Sequence, residues 1–212
     1  MDAIHWLLNL IRNPGSVIAS IGYYGMFAII FIETAGLFPI LPGDSLLVVA
    51  GIYAARGIFN PWLLLVLLIP AAVAGDAVAY LIGKKLGPAL FNRPESRFFK
   101  PKYAKAAHDF YEKHGGKAII IARFVPIVRT YVPMIAGVAQ MPYKRFGAYN
   151  VVGGAAWVSS MIAIGYFVGE LAAAHGFPLD KHLEKVIIVV VLLSLLPGIV
   201  SYLKNRRATS QT

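Results

Sequence analysis

Two acidic side chains, Glu33 and Asp44, interrupt an apolar part of this sequence, and the helix-breaking residues Pro39 and Pro42 lie between them. Burial favours the neutral form of a carboxyl group, whereas a nearby guanidinium favours the ionised form. An acid balanced between these effects can bind and release a proton near neutral pH, as proton coupling requires. A structural alternative also applies: Asp44 follows Gly43 and precedes an apolar run, so we expect it to cap a helix.

Two arginines, Arg123 and Arg129, interrupt a second apolar segment, in which Pro126 and Pro133 are predicted to break the helix. A charge at the bilayer centre costs at least about 2.5–3.5 kcal/mol on insertion scales, so it usually faces a cavity, a partner or a substrate. Arginine stays charged in proteins, and its planar fork suits phosphate or carboxylate. The alternative is that the arginines form structural ion pairs with Glu33 and Asp44. The two interpretations are compatible if a salt bridge of the empty state opens when a substrate phosphate binds. Thr130 and Gly137 in this segment are further candidates for the hairpin break and for backbone that lines the site.

Three other residues could complete a site between these segments. Asp76 lies inside a predicted spanning helix, and we expect it to pair with an arginine or to complete a polar cavity. A direct role of Asp76 in transport is the alternative. Asn150 can donate a hydrogen bond to a backbone carbonyl or to a substrate, whereas Trp157 is expected to pack.

The composition is that of an integral membrane protein. The 212 residues are 58% hydrophobic and 14% charged, with a mean hydropathy of +0.67 and no cysteine. Disulfides and thiolate metal sites are therefore excluded. The net charge of +10 comes from basic residues clustered between apolar segments, which favours membrane orientation and anionic lipid rather than nucleic acid. No cleavable signal peptide is predicted.

The elements that position these residues form an all-α membrane domain over residues 1–212. Residues 17–32 would make a helix of about 24 Å, shorter than the hydrocarbon core of roughly 30 Å, so a re-entrant hairpin is favoured. Nine basic and three acidic residues place the loop over 84–117 in the cytoplasm. The predicted order is an interfacial amphipathic helix (1–14), a re-entrant hairpin (17–55), a spanning helix (61–82), the basic loop with its own amphipathic helix (84–117), a second re-entrant hairpin (118–138), spanning helices (146–168 and 186–203) and a cytoplasmic tail (204–212).

A weak internal repeat supports this layout. Residues 80–83 match 166–169 at an offset of 86, and Ala50-Gly51 matches Ala136-Gly137 at the same offset. Each half contains one hairpin and one crossing, so the second copy would be inverted. Inverted repeats with broken helices meeting near the midplane are typical of transporters.

Enzyme signatures are not present in the sequence. There is no Walker A pattern, no HExxH and no G-x-S-x-G, and the five histidines form no ligand cluster in the apolar segments. A lipid phosphatase would need a catalytic histidine beside its arginines, and none lies near Arg123 or Arg129 in sequence. We therefore expect neither an enzyme nor a bound metal or cofactor.

At these motifs the chain resembles the DedA family of bacterial inner-membrane proteins, whose superfamily includes the SNARE-associated Golgi proteins and the lipid scramblases of autophagy. The resemblance covers roughly residues 20–170 and rests on Glu33 with Leu41-Pro42-Gly43-Asp44-Ser45, on Gly75-Asp76 with Tyr80 and Gly83, on Arg123-Phe124 with Pro126, Arg129-Thr130, Pro133 and Ala136-Gly137, and on Phe146 with Asn150, Gly154 and Trp157. It implies a proton-motive-force-dependent flippase of undecaprenyl phosphate in the bacterial inner membrane, serving cell-envelope recycling. It also implies that the two acids Glu33 and Asp44 and the two arginines are needed.

The sequence thus favours a lipid-phosphate translocase whose partners are an anionic lipid, membrane lipids and protons. A proton-coupled small-ion antiporter and a lipid scramblase of broader specificity are the alternatives among transporters. A membrane scaffold in which the charges are only structural is a third class. The oligomeric state is not predicted.

Overall fold

A computed structural model describes residues 14–38, 43–91 and 115–175, and within these ranges every regular element is a helix. Uninterrupted apolar runs with small and aliphatic residues favour helices here because the backbone then satisfies its own hydrogen bonds in lipid. Six helices are described in chain order: α1 (Pro14–Thr34), α2 (Gly43–Ala55), α3 (Pro61–Phe91), α4 (Lys117–Ala122), α5 (Pro126–Val138) and α6 (Tyr143–Ala174).

Among the described residues, two segments are long and apolar enough to cross a membrane, and they are Pro61–Lys85 and Tyr143–Ala174. Spanning segments were predicted here over 61–82 and 146–168, and the helices are longer than these segments. Helix α3 continues to Phe91, so the first residues of the predicted basic segment, 84–91, are helical. Helix α6 extends beyond 146–168 at both ends. A helix can continue past its apolar stretch into polar residues, because its hydrogen bonds are made between backbone groups.

The first interruption follows α1. The Thr34 hydroxyl donates to the Ile30 carbonyl oxygen at 2.8 Å in the last turn, and the chain then turns through Gly36, whose φ is +72°. This left-handed conformation suits glycine, which has no Cβ to clash. Helix α1 also contains a non-helical residue, Gly22, with φ +57°. Pro39 and Pro42 lie outside the described residues.

The second interruption falls between α4 and α5. Val125 is extended, with φ −117° and ψ 104°, and Pro126 is the first residue of α5. A residue before proline is driven out of the helical region by the proline ring, so the break at this point follows directly from the sequence. Pro133, in contrast, was predicted to break the helix and lies inside α5. Proline has no N–H, so Pro133 cannot donate the usual helical hydrogen bond to the residue four positions earlier.

The chain divides into two compact units, and α1, α3 and α6 each contribute to both. The described part of the first unit comprises 14–29, 43–68 and 158–175. In it, α2 packs on the C-terminal half of α6 through glycines, because a Cβ on Gly51 would overlap the Ile162 carbonyl and one on Gly165 would overlap that of Val48. Small residues allow such close helix crossings in membranes.

The described part of the second unit comprises 30–38, 69–91 and 115–157. Here α5 packs on α3, again through glycines: a Cβ on Gly137 would overlap the Tyr80 carbonyl, and one on Gly83 would overlap that of Met134. The Tyr80 hydroxyl donates to the Met141 carbonyl oxygen, which joins α3 to the chain after α5.

The repeated glycines therefore have the same use in both units. Gly51 and Gly137, which match at an offset of 86, each bring a short helix against a long one. Whether the short helices are re-entrant, and whether the repeat is inverted, stay predictions. The predicted interfacial helix before residue 14, the amphipathic helix of the basic loop and the span over 186–203 lie outside the described residues.

Candidate functional site

The second unit contains two ion pairs in its interior. The first joins Glu33, in the last turn of α1, to Arg129, in the first turn of α5: Arg129 Nη2 donates to Glu33 Oε1. The Glu33 residue is 3% exposed and the Arg129 side chain is 16% exposed. A buried charge requires a partner of opposite sign, and each of these two groups supplies it to the other.

The second ion pair joins Arg123, which follows α4, to Asp76 in α3, with Arg123 Nη2 donating to Asp76 Oδ2. The same nitrogen donates to Asn150 Oδ1 in α6, and Asn150 Nδ2 donates to the Val73 carbonyl oxygen at 2.9 Å. All three polar residues are buried. Asn150 therefore links the guanidinium to the backbone of α3, next to the acid that binds it.

Glycines make room for these charges. Gly75, immediately before Asp76, has no space for a side chain, since a Cβ there would overlap the Thr34 hydroxyl. This close approach brings the end of α1, with Glu33, beside the part of α3 that carries Asp76. On α6, a Cβ added to Gly153 would lie 3.1 Å from Arg123 Cδ, so the arginine lies directly against that helix backbone.

Trp157 covers the second arginine. The Arg129 Cζ atom lies 5.0 Å from the centroid of the Trp157 ring, within the range of a cation–π interaction. Trp157 is 1% exposed, so this contact is removed from solvent. The tryptophan was expected to pack only, and the structure adds this contact with a charged group.

A small cavity lies among these groups. Its volume is about 20 Å³, enough for one water molecule but not for a phosphate group. The cavity is lined by Glu33, Thr34, Asp76, Arg123, Arg129, Thr130 and Trp157. With both acids ionised, two carboxylates balance two guanidinium groups around it. The described arrangement is thus formally neutral and too small to hold a phosphate.

The structure brings together Glu33, Asp76, Arg123, Arg129 and Asn150, and Thr130 lines their cavity. Gly137 lies on α5 at the crossing with α3 rather than at the cavity. Gly43 begins α2, two residues earlier than expected, so Asp44 lies in the first turn of that helix rather than at the cap position before it. Both belong to the first unit.

Sequence reasoning missed Gly153 and Gly154, which flank the Arg123 side chain. Gly154 was noted only as part of a motif. A pair of adjacent glycines inside a spanning helix is a signal of close approach by another group, and it could have been used here. Among the described residues, no group of histidine and acidic side chains could hold a metal ion.

The chain is similar to known membrane proteins over most of its length. The VTT domain matches residues 38–167. The chain is 40% identical to the protein named DedA of Escherichia coli over 221 residues, which cover all of this chain and 99% of that relative. It is 38% identical, over its full length and 91% of the relative, to an uncharacterized membrane protein of Mycobacterium leprae.

A further relative is the inner membrane protein YqjA of Escherichia coli, which is 37% identical over 76% of this chain and 72% of its own length. No solved structure gives a significant match. The family resemblance drawn from the charged motifs is therefore confirmed, and the matched region includes Asp44, Asp76 and both arginines. This chain belongs to the DedA family of VTT-domain membrane proteins.

Proposed function

We propose that this protein is a lipid-phosphate translocase, with undecaprenyl phosphate the favoured substrate, that moves the phosphate headgroup across the inner membrane. The observation that carries the proposal is the cavity among apolar helices that both Arg123 and Arg129 line. Ionisable groups at membrane depth are expensive and usually mark a pathway for a substrate or a proton. The relatives' names agree with a membrane protein and name no substrate.

The chemistry of the cavity suits a phosphate ester. Guanidinium groups bind phosphate through two parallel hydrogen bonds, and Arg129 lies in the first turn of α5, where the helix dipole adds partial positive charge. The isoprenoid tail would stay in lipid during transfer. The chain around Arg123 is suited to this, since Ile121 and Phe124 expose apolar side chains beside it.

Substrate entry requires the ion pairs to open, because the cavity holds only a water-sized molecule when both are formed. Protonation of Glu33 would remove one negative charge and leave the cavity with an excess positive charge. That excess favours an anion, and by linkage a bound anion favours proton uptake at Glu33. Proton and lipid phosphate would then move together, which couples transfer to the proton motive force.

The predicted hairpins fit this mechanism. If α1 with α2, and α4 with α5, each enter and leave on one side, their breaks meet within the membrane and the cavity lies between the two aqueous faces. The inverted repeat would allow the same packing to open alternately to either side. We propose this arrangement together with a cytoplasmic C-terminus, as the basic residues near the chain end indicate.

A headgroup-accessibility assay in proteoliposomes tests the proposal. Vesicles contain a labelled polyprenyl phosphate, and the fraction reachable from outside is followed with and without a pH gradient. We expect transfer by the native protein and its loss in Arg123→Ala and Arg129→Ala. Arg145→Ala, which removes an exposed arginine at the start of α6, is the control and should transfer normally. Native rates in both site variants would refute the proposal.

A proton-coupled small-ion antiporter is the second candidate, and the small volume of the cavity favours it. In that case the ion pairs would relay charge and no lipid would bind. Ion flux in vesicles without any polyprenyl phosphate would identify this function. Transfer of many phospholipids without a gradient would instead indicate a scramblase.

A further inference from the structure

The two arginines of the cavity differ in how they are held. Arg123 is 5% exposed and donates to two acceptors on two helices, Asp76 and Asn150. The backbone of α6 covers its other side, since Cβ atoms on Gly153 and Gly154 would lie 3.1 Å from Cδ and 3.5 Å from Cζ. Moving this guanidinium would leave a buried carboxylate and a buried amide without their donor.

One atom of Arg123, Nε, is nevertheless a candidate to bind an incoming anion. This nitrogen is buried and has no acceptor among the described residues. A Cβ on Gly153 would, however, lie 3.2 Å from that nitrogen, so Nε lies against the α6 backbone. That backbone limits the approach of a phosphate to Nε. Arg123 therefore offers an incoming anion little beyond its charge.

Arg129 is held in another way. Its side chain is 16% exposed, about three times the value for Arg123, and its acid partner Glu33 is at the end of α1, just before the turn. Its Cζ atom lies 5.0 Å from the Trp157 ring centroid. A ring face binds a cation without using a hydrogen bond, so this contact can persist while one anionic partner replaces another.

From this difference we propose a division of roles: Arg129, positioned by Trp157, is the exchangeable anion-binding group, and Arg123 is a fixed cation that holds α3 and α6 around the cavity. The inference rests on the proposed function. It assigns Trp157 as a positioning residue and identifies the Glu33–Arg129 pair as the one that opens when a phosphate monoester binds. Both arginines would then be needed for transfer, for different reasons.

Binding of farnesyl phosphate, a short prenyl phosphate, to the full-length protein in detergent tests the division of roles. Calorimetric titration gives the affinity, and the thermal midpoint is measured on the same samples. We expect Arg129→Lys to weaken binding at least about tenfold, equal to 1.4 kcal/mol, with little change in midpoint. We expect Arg123→Lys to lower the midpoint while binding at low temperature stays within about threefold of native, or 0.7 kcal/mol. Arg145→Lys is the exposed control.

The role of Trp157 has its own comparison. Trp157→Leu should weaken farnesyl phosphate binding by about 2- to 30-fold, the range of a cation–π contact from exposed to desolvated sites. Trp157→Phe and Trp157→Leu both shrink a buried side chain, so both should lower the thermal midpoint by similar amounts. Trp157→Phe, which keeps an aromatic face, should nevertheless recover part of the binding lost in Trp157→Leu, which a purely structural role would not produce. Trp62→Leu makes the same change at a residue that is 75% exposed and should bind normally.

The binding and transfer results test the division of roles and the translocase function separately. Equal loss of binding in Arg123→Lys and Arg129→Lys with both proteins folded would overturn the division of roles, as would native affinity in Arg129→Lys. If binding depends on Arg129 as expected but vesicles show no transfer, the division of roles holds and the translocase does not. If transfer occurs and binding ignores Arg129, the translocase holds and the division of roles does not.

Discussion

Glu33 and Arg129 are 96 positions apart in the sequence and form an ion pair in the interior of the second unit. The pair connects the last turn before one chain interruption to the first turn after another. An ion pair at two such interruptions can open with limited rearrangement, because neither residue lies in the middle of a long helix. Its opening is the step on which the proposed mechanism depends.

Neutralising Glu33 should remove proton coupling. Glu33→Gln keeps the shape of the side chain but leaves Arg129 facing a neutral amide, as a protonated acid would. We expect farnesyl phosphate to bind at least as tightly as in the native protein, and gradient-driven transfer in proteoliposomes to fall at least about tenfold, equivalent to 1.4 kcal/mol in the barrier. The matched control is Glu170→Gln, at an exposed acid near the end of α6. Transfer that still responds to the pH gradient in Glu33→Gln would contradict the assigned role.

The glycine crossing between α3 and α5 should tolerate no side chain. Gly83→Ala places a methyl group against the Met134 carbonyl, and overpacking of this kind typically costs about 1–3 kcal/mol. Gly147→Ala on α6 is a sharp control, because nothing lies within 4 Å of the added Cβ. That change should be neutral or stabilise the helix by up to about 1 kcal/mol. Thermal unfolding of both proteins in detergent compares them, and similar midpoints would show that the two helices are not in close contact.

Asn150 should contribute to stability through Arg123 and not independently of it. Asn150→Ala removes an acceptor from the buried guanidinium and a donor from the Val73 carbonyl, at a cost of about 1–3 kcal/mol. Combined with Asp76→Asn in a double-mutant cycle, it should show a coupling energy of about 0.5–3 kcal/mol. Free energies of unfolding for the four proteins supply the cycle. Strictly additive effects would mean that the two side chains do not share the arginine.

The Tyr80 hydroxyl should stabilise the chain that follows α5. Tyr80→Phe removes its donation to the Met141 carbonyl but keeps the ring, which stacks on Phe146 with centroids 4.5 Å apart. The expected loss is about 0.5–1.5 kcal/mol, the usual net value of one hydrogen bond. Tyr24→Phe makes the same change at a residue that is 88% exposed and should leave the unfolding midpoint unaltered. Equal midpoints for the two variants would argue against this bond.

Several features could be predicted from the sequence because their causes are local. The apolar runs indicate the spanning helices, and Pro126 forces the preceding Val125 out of the helical conformation. Pro133 shows the limit of the same argument. A proline inside a helix removes one hydrogen bond, but the helix can continue past it, as α5 does.

The sequence by itself determined that the charged groups within its apolar segments had to meet partners inside a membrane protein, since their burial without partners would be too costly. Only the tertiary structure decided the partners: Glu33 with Arg129, and Asp76 with Arg123. Pairing of residues 47 and 96 positions apart depends on which helices cross and how closely. Those crossings are governed by contacts such as that between Gly75 and Thr34, where the absence of a side chain lets α1 and α3 approach. The helix propensity of a segment does not predict such a distance, because the distance arises only when the helices pack.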